Sequence, residues 1–203
     1  DDGVIAMMCD STNVFVDGSS GSEGPLRESL IEIVGNCKGR VAIACFASNV
    51  ARMETCVAAA QAPGRHVGLV GRSLWRMNEV ARECGYLMDC PEFVNVDEIY
   101  FLPREEVLLI VTGSQGEAQA ALSRIASGDH RDVSLEAGDT VIFSSKEIPG
   151  NEKAIGRIQN RLAAEGIKII TEDKEFVHVS GHPARDELKS FYEWVRRPLL
   201  VPI

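Results

Sequence analysis

The chain has 203 residues, of which 45% are hydrophobic and 25% charged, and 30 acidic against 21 basic residues give a net charge of −9. A chain of this length forms about one domain and buries about 70% of its unfolded surface without cross-links. The composition excludes a disordered chain, no apolar run reaches the roughly 18 residues of a membrane span, and the charge argues against nucleic-acid binding by bulk attraction.

Apolar runs of strand length alternate with segments of helical periodicity along the chain. We predict strands at Gly3–Cys9, Arg40–Ala47, His66–Val70, Val107–Thr112, Thr140–Ser144, Lys168–Thr171, Phe176–Val179 and Leu199–Val201. The predicted helices are Leu26–Val34, Asn49–Gln61, Leu74–Cys84, Gly116–Ser127, Glu152–Glu165 and Ala184–Val195. Such alternation is typical of parallel pairing with crossover helices, so the sequence predicts an α/β fold: a three-layer, Rossmann-like, mostly parallel sheet with helices on both faces.

The cysteines and the chain ends indicate the setting of the protein. Six cysteines, none in a Cys-x-x-Cys pair, and the absence of a signal sequence favour reduced thiols and a cytoplasmic location. The first residues lead directly into an apolar run, and the last residues, Leu199–Ile203, form a predicted strand. Since natural termini are usually polar and frayed, we expect the chain to be a piece of a longer protein.

Polar residues cluster in five loops that follow predicted strands, where ligands of open α/β sheets bind. The candidate residues in these loops are Asp10, Ser48, Asn49, Arg52, Ser114, Gln115, Glu117, Ser180, Gly181 and His182. Helix capping alone accounts for any one of these loops, because Ser, Asn and Asp satisfy free N–H groups at helix starts. Five loops at one rim favour an anionic ligand such as phosphate.

The histidines give no metal site. His178 and His182 are four residues apart, but His178 lies in a predicted strand and Gly181 interrupts any helix, which argues against a zinc pair. His182 precedes Pro183, a residue that starts helices, and this places its imidazole at a helix N-terminus beside the predicted ligand site.

An ordered set of motifs identifies a resemblance that runs through nearly all of the chain. The motifs are Asp10-Ser11-Thr12-Asn13, Phe46-Ala47-Ser48-Asn49-Val50-x-Arg52, Gly71-Arg72-Ser73, Thr112-Gly113-Ser114-Gln115-Gly116-Glu117, Gly138-Asp139-Thr140-Val141-Ile142-Phe143-Ser144-Ser145, Ile148-Pro149-Gly150-Asn151-Glu152 and His178-Val179-Ser180-Gly181-His182. Together they closely resemble the β-CASP domain of the RNase J family of metallo-β-lactamase-fold ribonucleases.

The resemblance implies a parent protein in which the β-CASP domain is inserted into a metallo-β-lactamase domain and followed by a C-terminal domain. It implies that residues 1–203 are the β-CASP domain, with both ends being strands that lead into the absent domain. The parent would use two zinc ions, degrade RNA as a 5′-to-3′ exonuclease and also as an endonuclease, and form a homo-oligomer. Because the zinc ligands of the family lie outside this segment, we expect the isolated chain to bind no zinc and cleave no RNA.

The resemblance also assigns roles to the candidate residues. Asp10 and His182 match the two β-CASP motifs, with His182 as the candidate proton donor at the scissile phosphate and Asp10 as the residue that orients it. Phosphate and RNA contacts are implied for Ser180, Gly181, Ser48, Asn49, Arg52, Ser114, Gln115 and Glu117. The alternative that the residues leave open is a free-standing nucleotide-binding or regulatory α/β module without catalysis.

Overall fold

A computed structural model describes residues 5–203, and the chain divides into two compact units. The larger unit is Glu23–His178, and the smaller unit combines the segment up to Ser22 with Val179–Ile203. The prediction that residues 1–203 form one β-CASP domain with terminal strands leading into a further domain stays a prediction.

Seven strands and seven helices make up the described chain. The strands are β1 (Ala6–Cys9), β2 (Val41–Ala44), β3 (His66–Val70), β4 (Val107–Val111), β5 (Thr140–Phe143), β6 (Lys168–Ile170) and β7 (Leu199–Pro202). The helices are α1 (Glu23–Gly35), α2 (Val50–Gln61), α3 (Arg72–Glu83), α4 (Val96–Ile99), α5 (Ala121–Ala126), α6 (Glu152–Ala164) and α7 (Arg185–Val195), and Arg104–Glu106 forms a 3₁₀ turn.

The larger unit is built on a parallel five-stranded sheet in the order β3-β4-β2-β5-β6. Every residue of β2, β4 and β5 is buried. Because successive side chains of a strand point to opposite faces, helices must cover both faces of the sheet. This confirms the predicted three-layer α/β fold, and it places the loops after β2, β4 and β5 side by side at one edge.

Two predicted elements differ from the structure. Phe176–Val179 is not a strand: the Ser29 hydroxyl donates to the Phe176 carbonyl (2.7 Å) and the Ser144 hydroxyl to the Val177 carbonyl (2.7 Å), so side chains replace a strand ladder. The helix predicted at Gly116–Ser127 begins only at Ala121, because Gly116 has a left-handed backbone (φ 81°) that an α-helix does not allow. The start of the predicted first strand, Gly3 and Val4, lies outside the described residues.

The smaller unit consists of β1, β7, α7 and the loop after β1. β1 and β7 pair in parallel from Ala6↔Leu199 to Cys9↔Pro202. The loop after β1 runs beside the start of α7, because Arg185 N–H donates to the Val16 carbonyl (2.9 Å) and Asn13 bridges to Ala184. This connection brings two segments that are about 170 residues apart in sequence into contact, and both of them carry candidate site residues.

Among the helices of residues 5–203, none combines the length and the apolar character that crossing a membrane requires.

Candidate functional site

Asp10 and His182 form a hydrogen-bonded pair in the smaller unit. Asp10 follows β1 directly; its Oδ1 accepts from Thr12 N–H (2.8 Å), and its Oδ2 bonds to Nδ1 of His182. These two partners lower the pKa of Asp10 to about 2, so its carboxylate is ionised at neutral pH. An ionised Asp10 accepts a hydrogen bond from Nδ1, and this bond fixes the orientation of the exposed His182 ring.

Ser180 and Gly181 shape the loop in front of His182. The Ser180 hydroxyl oxygen accepts from His182 N–H (3.1 Å) and from Nδ2 of Asn13 (2.9 Å). Gly181 is exposed, its φ is outside the left-handed region, and a Cβ there would meet nothing within 4 Å. Neither backbone strain nor internal packing therefore requires a glycine, and the open position allows a ligand to approach the backbone closely.

Glu187 holds the other side of this loop. Its Oε2 accepts from Ala184 N–H (2.8 Å), from Ser20 N–H (2.9 Å) and from the Ser20 hydroxyl (2.7 Å). These three bonds lower the pKa of Glu187 and keep it ionised. The carboxylate thus satisfies a free N–H at the start of α7 and ties that helix to the loop after β1.

Ser48 and Asn49 follow β2 in the larger unit. Asn49 Oδ1 accepts from Arg52 N–H (3.0 Å), which makes Asn49 the N-cap of α2. This bond is the capping role that the sequence left open for these loops. Ser48 is exposed at the sheet edge and can reach a ligand.

The side chain of Arg52, for which the resemblance implies RNA contact, lies inside the larger unit. Its side chain is only 1% exposed, and its Nη2 lies 2.7 Å from Oε1 of Glu23 in an ion pair. Nη1 donates to the Ser144 carbonyl and hydroxyl (2.8 Å each) and lies 3.3 Å from Nδ1 of His178. Arg52 is therefore an internal tie between α1, α2 and the loop after β5, because a buried guanidinium needs partners inside the protein.

Burial and the neighbouring Arg52 lower the pKa of His178 to about 4, so this imidazole is neutral at pH 7. A neutral ring accepts the Arg52 hydrogen bond at Nδ1. His178 thus completes the buried polar cluster around Arg52.

The loop after β4 holds two residues whose side chains the structure turns inward. Ser114 is 2% exposed and Gln115 5%, so neither side chain lies at the surface, and the RNA contact that the resemblance implies for them stays a prediction. Gln115 donates from Nε2 to the Lys146 carbonyl (2.9 Å), and its Oε1 accepts from Ile148 N–H (3.0 Å). Gln115 thus fastens this loop to the loop after β5, while the exposed Glu117 accepts from Gln115 N–H (3.0 Å).

The structure adds two residues that were not among the predicted site residues. Asn13 lies beneath Ser180 and His182, and Arg72 is an exposed cation at the start of α3. A Cβ at Gly71 would come within 2.7 Å of the Thr112 side chain, so this glycine lets the turn into α3 approach the loop after β4. The position of Gly71-Arg72 directly after a predicted strand could have indicated Arg72 from the sequence. No residue near Asn13 in the sequence indicates the partners of Asn13.

Metal ligands do not assemble within the part of the chain that the structure describes. Residues 5–203 contain no group of three or more His, Cys, Asp or Glu side chains that could hold a metal ion. The side chains present in this range therefore do not fit a zinc centre. Asp10, Asn13, Ser180 and His182 come together in the smaller unit, whereas Ser48, Asn49 and Arg52 and the Ser114–Glu117 loop belong to the larger unit.

Comparison with known proteins assigns the family. The family model "Ribonuclease J, beta-CASP domain" matches residues 38–162, more than half of the chain. The chain is 48% identical over its full length to Ribonuclease J of Sinorhizobium meliloti, covering 36% of that protein, and 42% identical to Ribonuclease J of Mycolicibacterium smegmatis, covering 37%. It is 38% identical to Ribonuclease J of Thermus thermophilus over 93% of the chain and 33% of that protein. The chain thus spans about a third of the length of these relatives, and it belongs to the ribonuclease J family through its β-CASP domain.

Proposed function

We propose that this chain is the β-CASP part of a ribonuclease J-type enzyme, in which it holds RNA and supplies a proton at the scissile phosphodiester. The observation that carries the proposal is the Asp10–His182 pair. An ionised carboxylate hydrogen-bonded to Nδ1 fixes the orientation of the ring. His182 then donates a proton from Nε2 to the leaving oxygen, while Asp10 positions the ring.

Each unit, taken by itself, would offer exposed groups to RNA. In the smaller unit these are the Ser180 hydroxyl and the open backbone at Gly181, and in the larger unit they are Ser48 and the cations Arg72 and Lys146. Because the whole chain carries a net charge of −9, attraction for phosphate depends on such local groups rather than on bulk charge.

The rest of the enzyme lies outside residues 5–203 in this proposal. A metallo-β-lactamase domain of the parent protein would supply the ligands for two zinc ions, and a C-terminal domain would support a homo-oligomer. We propose a cytoplasmic enzyme that degrades RNA from the 5′ end and also cuts internally. The isolated chain would then be inactive.

Kinetics of the parent protein test the proposed role of His182. We expect His182→Ala to lower kcat by about 10²–10⁴. The KM for a 5′-monophosphorylated RNA should change less than about fivefold, because the proton is transferred only in the transition state. The control is His66→Ala, which removes an exposed imidazole at the start of β3. Equal rates in the two variants, with equal zinc contents, would contradict the role of His182.

A further inference from the structure

We propose that Asn13 is a positioning residue that commits the hydroxyl proton of Ser180 to a phosphate of the bound RNA and fixes the backbone of His182. This inference rests on the proposed function, because it assigns to Asn13 a task in the binding of the same substrate. It concerns a residue that makes no contact with the imidazole ring itself.

The side-chain amide of Asn13 is buried and fully used as a donor. Asn13 is 6% exposed, and its Nδ2 lies 2.9 Å from Oγ of Ser180 and 3.0 Å from the carbonyl oxygen of His182. An amide nitrogen carries two N–H groups, so each of them has one acceptor. This network fixes which way the amide points, since a reversed amide would place its oxygen against the His182 carbonyl.

The hydroxyl of Ser180 can form one further hydrogen bond, as a donor. Its oxygen accepts from Nδ2 of Asn13 and from His182 N–H (3.1 Å), which occupies both lone pairs of the oxygen. No acceptor for the hydroxyl proton lies within hydrogen-bonding distance among residues 5–203. Ser180 is half-exposed, so its proton is directed toward solvent, where a phosphate oxygen can replace water.

The segment from Asp10 to Asn13 bonds to His182 at two points. Asp10 bonds to its ring nitrogen Nδ1, and Asn13, three residues later, bonds to its carbonyl oxygen. The segment itself is a tight turn, because Thr12 N–H donates to Oδ1 of Asp10 and Val14 N–H to the Ser11 carbonyl (3.1 Å). The positions of the ring and of the backbone of His182 are therefore set by the same turn, and a change at Asn13 is transmitted to both.

The variant Asn13→Asp tests this assignment at nearly constant size. A carboxylate accepts but does not donate, so the Ser180 proton would turn inward to residue 13, and the His182 carbonyl would face a like-charged oxygen. We expect KM for RNA to rise about tenfold, as on loss of a charge-assisted hydrogen bond. We also expect kcat to fall about tenfold, as on a displacement of the reacting group by a fraction of an ångström.

Ser180→Ala separates the two effects in the parent protein. It should raise KM by the same factor as Asn13→Asp and lower kcat by a smaller factor, since it removes the acceptor of His182 N–H and leaves Asn13 bonded to the His182 carbonyl. The double variant should show no further rise in KM, because residues that act as a unit are not additive. The matched control is Asn36→Asp, which adds the same charge at an exposed position after α1. A KM for Asn13→Asp equal to that of the control, or KM changes that multiply in the double variant, would overturn the proposal.

A second variant and a hydrogen-exchange measurement test the role of Asn13 even if Asn13→Asp does not fold. Asn13→Ala removes the donors without adding a charge, and it should also raise KM if Asn13→Asp does not fold. Hydrogen exchange of the His182 amide should be slow in the wild-type protein and faster in both Asn13 variants, whatever the activity. A wild-type parent without RNA degradation would contradict the proposed function, whereas unchanged exchange at His182 would contradict the role of Asn13.

Discussion

The buried Arg52 of α2 and the partly buried Glu23 of α1 form an ion pair, with Nη2 of the arginine 2.7 Å from Oε1 of the glutamate. Nε of Arg52 adds bonds to both carboxylate oxygens (3.1 and 3.0 Å), and the Thr55 hydroxyl donates to Oε2 (3.1 Å). The pair lies where α1 packs against α2, and Nη1 of Arg52 extends it to Ser144 after β5. This cluster connects two helices and a sheet-edge loop of the larger unit.

Removal of the Arg52 side chain should therefore make the larger unit easier to unfold. We expect Arg52→Met to lower the free energy of unfolding by about 3–5 kcal/mol, because it leaves the Glu23 carboxylate partly buried without its cation. Urea denaturation followed by Trp75 fluorescence measures this change, since the Trp75 indole donates to the Leu69 carbonyl (3.0 Å) inside the unit. The second tryptophan, the exposed Trp194 of the smaller unit, is replaced by Phe in all the chains compared, so that Trp75 alone is followed. The exposed Arg27 of α1 provides the control Arg27→Met. If Arg52→Met instead kept the wild-type free energy of unfolding and bound RNA more weakly, the result would support RNA contact by Arg52.

The free energy of unfolding should fall as the pH decreases through a range that the pKa of His178 determines. Its pKa is about 4 in the folded protein against 6.5 for a free imidazole, so below pH 6.5 the unfolded chain binds a proton that the folded chain does not. The contribution of His178 is thus complete above pH 6.5 and is lost as the pH falls from 6.5 to about 4. His178→Gln should flatten the stability curve in this window, and the exposed His66→Gln should leave it unchanged. Parallel curves for His178→Gln and the wild-type chain would contradict the prediction.

The isolated chain should not bind zinc in stoichiometric amount. Residues 5–203 hold no group of three metal-ligating side chains, and structural or catalytic zinc sites need three or four such ligands. Elemental analysis after dialysis against a zinc-containing buffer and then a zinc-free buffer measures this directly. A ratio near one or two zinc ions per chain would contradict the prediction and would require ligands that the structure does not bring together.

The sequence was a good guide where the signal is local. The central strands β2 and β4 are continuous apolar runs, as is β5 from Val141 onward, and such runs predict strands covered on both faces. Phe176–Val179, in which His178 interrupts the apolar residues, is also a predicted strand, but the Ser29 and Ser144 hydroxyls donate to its carbonyls and no strand forms. That competition depends on residues up to 147 positions away, which periodicity does not detect.

The residues of the candidate site show the same difference between local and long-range signals in the sequence. Asp10 and His182 were predicted as a pair through a family resemblance, and the structure brings them together across 172 positions of sequence. The burial of Arg52 was not predicted, because an arginine after a strand resembles a phosphate ligand until its partner Glu23, 29 positions earlier, is placed opposite it. Asn13 was overlooked for the same reason, since its acceptors are 167 and 169 positions away.

The Asp10–His182 pair makes a final prediction about the parent enzyme. Asp10→Asn keeps an oxygen that can accept from Thr12 N–H, so the turn after β1 should survive, but it removes the negative charge beside Nδ1 of His182. We expect kcat to fall in the same way as in His182→Ala and by a smaller factor, because an amide oxygen accepts a weaker hydrogen bond from Nδ1 than a carboxylate does and orients the ring less firmly.

The double variant decides between this orienting role and a simple cap. If Asp10 acts only through His182, Asp10→Asn combined with His182→Ala should be about as slow as His182→Ala alone, since residues that act as a unit are non-additive. If Asp10 only caps the turn after β1, Asp10→Asn should retain nearly full activity, because asparagine caps as well as aspartate. Steady-state kinetics on both single variants and the double variant, with zinc content measured in each, distinguishes these results. Losses that multiply in the double variant would show that Asp10 and His182 act independently.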